Sequence, residues 1–88
     1  MKPFLDAAAV ARKHPGQVVH LGGGWTLLAS TCVRRGANAT TLYTLRAPGG
    51  ASVDFDRFGV KPFARAWRDG LLKVRLLEGG RSVIELGG

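Results

Sequence analysis

The sequence predicts an α+β domain: an antiparallel meander of three to four strands, an N-terminal helix, a second and basic helix over about residues 60–69, and a C-terminal β-hairpin. Three observations carry that expectation. Residues 3–13, PFLDAAAVARK, have a helical, alanine-rich pattern that His14-Pro15-Gly16 stops. From Gln17 the apolar period falls to two, in segments rich in Val, Thr, Leu and aromatic residues separated by GGG, RGANA and PGG. Residues 60–69 then return to a helical period, and two more strand-like runs flank Glu78-Gly79-Gly80.

In the first helix Pro3 can occupy the opening turn, and Arg12 and Lys13 stand where the C-terminal end of the dipole favours cations. Its apolar stripe reads as Phe4, Leu5, Ala8, Val10 and Ala11. The strands read as 17–21, 25–34, 40–47 and 51–55. In the second, Trp25, Leu27, Ala29, Thr31 and Val33 alternate with Thr26, Leu28, Ser30, Cys32 and Arg34; the first set is the more apolar, which predicts a sheet covered on one face.

Pro62 fixes the start of the basic helix. A proline deep inside would remove a hydrogen bond, whereas the first turn has no intrahelical N–H partners to lose. With Gly59 at the N-cap, Pro62 falls third in the helix and Gly70 at the left-handed stop position. At about 100° per residue, Lys61, Arg65 and Arg68 share an arc of about 60° opposite Val60, Phe63, Ala64 and Trp67. Arg57 can extend that cationic face from the preceding turn. In the last hairpin Leu72, Val74 and Leu76 should face inward, with Lys73 and Arg75 on the wet side.

Eighty-eight residues read as a single domain, 1–88, because two halves would each be too small to bury a core. Thirteen Lys and Arg against six Asp and Glu give a net charge of +7, and no acid occurs between Asp6 and Asp54. Such an excess points to an acidic partner, with nucleic acid the leading class. Arg outnumbers Lys among the cations, and its planar fork suits phosphates and base edges. The expectation is therefore a small accessory or regulatory domain that binds nucleic acid, DNA favoured over RNA. Its contacts would come from Arg57, Lys61, Arg65, Arg68, Lys73 and Arg75, with Arg34, Arg35 and Arg46 as a second strip. The rival expectation is an inhibitor or adaptor, of the kind mobile elements encode, that docks the same cations on an acidic protein surface. A homodimer is also expected, since one small chain covers few phosphates and a wet sheet face or free edge offers a seam.

Several other chemistries are disfavoured. The GGGW run (22–25) leads into a strand, whereas a phosphate-binding glycine loop leads into a helix, so it reads as a hairpin turn. His14, His20 and Cys32 have no zinc spacing, so no metal or other cofactor is expected; His20 reads as a core or sheet residue. Asp54 and Asp56 alternate on one strand as a catalytic pair would, but Asp56 reads as a turn starter and Asp54 as the partner of a nearby Arg, so no enzyme is expected. A single cysteine, no membrane-length apolar run and no secretion-signal pattern favour a cytoplasmic setting without membrane partners.

Four partial resemblances are present. FGVKPFARAW (58–67) resembles the turn and recognition helix of helix-turn-helix regulators, with the hairpin 71–86 as a wing, although ASVDFD (51–56) reads as a strand where that motif has its first helix. The order helix, three strands, basic helix is similar to double-stranded-RNA-binding domains, and strands followed by a helix to integrase arm-type DNA readers; the extra hairpin departs from both. The ending VIELGG (83–88) resembles diglycine-ended ubiquitin-like carriers, which implies a terminal carboxylate activated by adenylation; the large positive charge and early helix depart from that pattern.

Overall fold

Four strands, β1 (Val19–Gly22), β2 (Trp25–Val33), β3 (Ala39–Arg46) and β4 (Ser52–Phe55), pair antiparallel in the order β1-β2-β3-β4. They belong to a computed structural model that describes residues 3–33 and 39–87. Helix α1 (Phe4–Lys13) precedes the sheet. A 3-10 turn (Arg57–Gly59), helix α2 (Val60–Arg68) and a hairpin of β5 (Leu72–Leu76) and β6 (Ser82–Leu86) follow it. The fold is the α+β arrangement that the periodicities predict.

Alternation assigns the two faces of the sheet. Leu27, Ala29, Tyr43, Leu45 and Phe55 are buried on one; Ser30, Arg46, Ser52 and Asp54 are exposed on the other. Among the described residues only the first face is covered, by α1 across β1 and β2 and by α2 beside α1. Six aromatic rings tie the layers together: Phe55 stacks on Phe63 at 4.3 Å and lies 5.6 Å from Tyr43 and 6.1 Å from Phe4, while Trp67 meets Phe4 at 6.2 Å and Trp25 at 5.5 Å. Each such pair contributes about 0.5–1.5 kcal/mol beyond the burial of its area.

The buried stripe of α1 is Phe4, Ala7, Ala8 and Ala11, a regular i, i+3, i+4, i+7 set. It replaces part of the expected stripe: Leu5 lies about 100° from Phe4 around the axis and is 55% exposed. Gly22 pairs with Trp25, so Gly23 and Gly24 form the two-residue turn of the β1–β2 hairpin, with φ of +63° and +87°. Two successive positive φ values are what such a turn requires and what glycine supplies. His20 is exposed opposite Thr26 on β2, so it is a sheet residue and not a core one.

Asp54 also differs from its expected pairing with an Arg. Its Oδ1 accepts from Thr44 Oγ1 at 2.7 Å, the residue directly opposite it on β3. Asp56 does start the turn into α2: its Oδ1 accepts from the N–H groups of Phe58 at 3.0 Å and Gly59 at 3.2 Å. Helix α2 ends as expected, with Gly70 at φ +69°; Leu71 N–H donates to Ala66 O and Gly70 N–H to Trp67 O, the paired bonds of a Schellman stop.

The hairpin packs on this body through β6 beside β4 and through β5 beside α2. Leu72 pairs with Leu86 and Val74 with Ile84; Ile84 reaches the core and Leu72 lies against it. Val74 and Leu76, expected on a dry side, are 47% and 72% exposed, whereas Ile84, directly opposite Val74, is buried, so β6 and not β5 carries the hairpin's main contact with the core. Gly87 N–H donates to Leu71 O, which ties Gly87 into the hairpin.

Candidate nucleic-acid interface

The cations of α2 follow from the helical period and from what the opposite side of the helix buries. Ala66 is buried, and Val60, Phe63, Ala64 and Trp67 pack against the core, which turns Lys61, Arg65 and Arg68 outward. All three side chains are exposed. They do not project from a bare cylinder, however. Between α1 and α2 lies a groove of about 530 Å³ whose rim is Lys61, Arg65 and Arg68 and whose apolar floor includes Phe4, Leu5, Ala64 and Trp67.

A second hollow of about 240 Å³ shares Leu5 and Lys61 with the first and adds Arg57 and Arg12. Together they form a trough along the α1–α2 seam. Five cations border it, and among the described residues no carboxylate does. Arg12, from the last turn of α1, is the member that sequence reasoning did not nominate. Its signal was present in the i+7 spacing from Leu5, which puts both on one side of α1, but the partner element for that side could not be read from α1 alone.

The other nominated residues lie elsewhere. Arg46 is on the open face of the sheet, next in sequence to the fully buried Leu45 on the opposite face and across from Thr26 and Ser52. The structure therefore separates it from the α2 cations by the thickness of the sheet. Arg34 and Arg35 lie outside the described residues. Lys73 and Arg75 share one side of the hairpin with Glu85: Lys73 is its register partner, and Arg75 Nη1 donates to Glu85 Oε1 at 3.2 Å. Arg68 Nε makes a similar contact with Asp69 at 3.1 Å. Both pairs are solvent-exposed, so each is worth about 1 kcal/mol or less and can exchange for another anion at small cost.

Beside the trough the 3-10 turn carries Arg57 and Phe58. The Arg57 guanidinium carbon lies 4.9 Å from the centroid of the Phe58 ring, and the ring is 74% exposed. Gly59 fixes the approach of this turn to the core: a Cβ there would stand 2.8 Å from the Phe55 Cβ, closer than side-chain atoms pack.

Ser52–Phe55 is strand β4, which departs from helix-turn-helix architecture at the position of that motif's first helix. Comparison of the chain with protein-family models, with curated proteins and with solved structures finds no match. Among the described residues no helix is long and apolar enough to cross a membrane.

Proposed function

We propose that this protein is a nucleic-acid-binding accessory or regulatory domain, with DNA favoured over RNA, and that it holds phosphates along the α1–α2 trough. The observation that supports this reading is the border of the trough: Arg12, Arg57, Lys61, Arg65 and Arg68 converge on one seam, with no carboxylate among the described lining residues. Cations so placed repel one another in the free protein, and an anionic strand relieves that repulsion while releasing its own counterions. Such contacts position the nucleic acid without reading its sequence.

The apolar floor formed by Phe4, Leu5, Ala64 and Trp67 favours a second reading, docking of an acidic amphipathic segment of another protein. Titration of the full chain with random duplex DNA, single-stranded DNA and duplex RNA at two salt concentrations separates the two. Under the first reading log K falls linearly with log salt, with a slope of roughly 0.7–0.9 per phosphate contacted. Absence of binding to every nucleic acid at low salt would remove the first reading and leave the second.

A further inference from the structure

We infer that the nucleic acid held by this trough is single-stranded, and that Phe58 stacks on one of its unpaired bases while the neighbouring cations hold the flanking phosphates. The inference rests on the nucleic-acid reading above and narrows its substrate class.

Phe58 departs from the other aromatic residues of the chain. Phe4, Trp25, Tyr43, Phe55, Phe63 and Trp67 form one contiguous set of ring contacts inside the fold, whereas Phe58 leaves 74% of its surface in water. A single exposed Phe is ordinary on a protein surface; its setting here is not. Two backbone hydrogen bonds to Asp56 and the close packing of Gly59 on Phe55 fix the turn that carries it. Arg57 covers one side of the ring at 4.9 Å, which leaves the remaining side open. Three residues later, Lys61 begins the cationic rim, and Arg57 borders the same trough.

An exposed ring flanked by cations on a fixed turn matches the chemistry of an unpaired nucleotide. The base supplies a π-face for the ring, the phosphate supplies the anion, and the guanidinium strengthens the stack from the other side. In a duplex the base faces are already stacked on one another and cannot meet Phe58. The apolar floor of the trough likewise has no counterpart on a duplex backbone, whereas it can take a base turned out of a single strand.

The test measures binding of the full chain to fluorescein-labelled oligothymidylate, oligouridylate and a mixed-sequence DNA duplex of equal length, at two salt concentrations, for the unmodified protein and for Phe58→Ala and Phe58→Trp. Both single strands should bind more tightly than the duplex. Phe58→Ala should weaken single-strand binding by about 5- to 100-fold with the salt slope and the duplex affinity unchanged, and Phe58→Trp should restore it. Because Phe58 is exposed, neither substitution should move the thermal midpoint, which the circular dichroism melt checks. Duplex binding equal to or tighter than single-strand binding would overturn the inference and leave the phosphate reading in place, as would an unchanged affinity in Phe58→Ala. No binding to any of the three would overturn both, and capture of an acidic amphipathic peptide in that case would assign the trough to protein docking.

Discussion

Helix α2 and strand β5 are the two segments in which the sequence sets cations against an apolar side, and the fold treats them differently. Lys61 and Arg65 on α2 make no ion pair among the described residues, and the preceding 3-10 turn and helix α1 each add a cation to their border, Arg57 and Arg12, instead of an acid. On β5, Lys73 and Arg75 face Glu85 from the adjacent strand. The apolar sides differ as well: α2 sets Phe63 and Trp67 into the aromatic network, whereas β5 leaves Val74 and Leu76 largely in water. Charge pattern along one element thus states which side is wet, but the element packed beside it decides whether that side is a field or a neutralised pair.

The contrast in packing can be broken first. Phe55 touches Phe4, Tyr43 and Phe63, and Phe55→Ala should cost about 3–5 kcal/mol in urea denaturation, enough to loosen the seat of α2. Leu76→Ala on the hairpin should change the same measurement by no more than about 0.5 kcal/mol. Similar losses at the two sites would show that the hairpin is as firmly packed as the sheet. The contrast in charge comes next. Charge reversal at both Lys61 and Arg65 should weaken single-stranded DNA binding by roughly tenfold or more at moderate salt, while Lys73→Glu should change it less than about threefold. Smaller still is the effect of the turn between β4 and α2: Asp56→Ala removes two capping bonds and should lower stability by about 1 kcal/mol, with Asp56→Asn recovering most of it.

Much of this architecture was legible in the sequence, because local chemistry determines it. Pro62 and Gly70 bracket α2, Asp56 opens its turn, and the glycines at 23 and 24 need no tertiary context to mark a hairpin. Period two along β2 and β3 likewise separates Leu27 and Leu45 from Ser30 and Arg46. What could not be read depends on contacts distant in the chain. Arg12 and Arg57 are 45 residues apart, and only the packing of α1 beside α2 brings both to one trough. Phe58 carries the composition of a core residue, and its exposure follows from the 3-10 turn that rotates it away from Phe55 and Phe63. Asp54 finds Thr44 because the β3–β4 register sets them directly opposite, a register that the loop sequence 47–51 does not announce.

The claim on which the functional reading stands is that the cations of the α1–α2 seam, and not those of the hairpin, contact phosphates. The most direct measurement is the slope of log K against log salt for single-stranded DNA, compared between the unmodified chain, an Arg12→Gln/Lys61→Gln/Arg65→Gln variant and a Lys73→Gln/Arg75→Gln variant. The seam variant should lose about two units of slope and the hairpin variant almost none. A seam variant with the full slope, or a hairpin variant that loses most of it, would contradict the account.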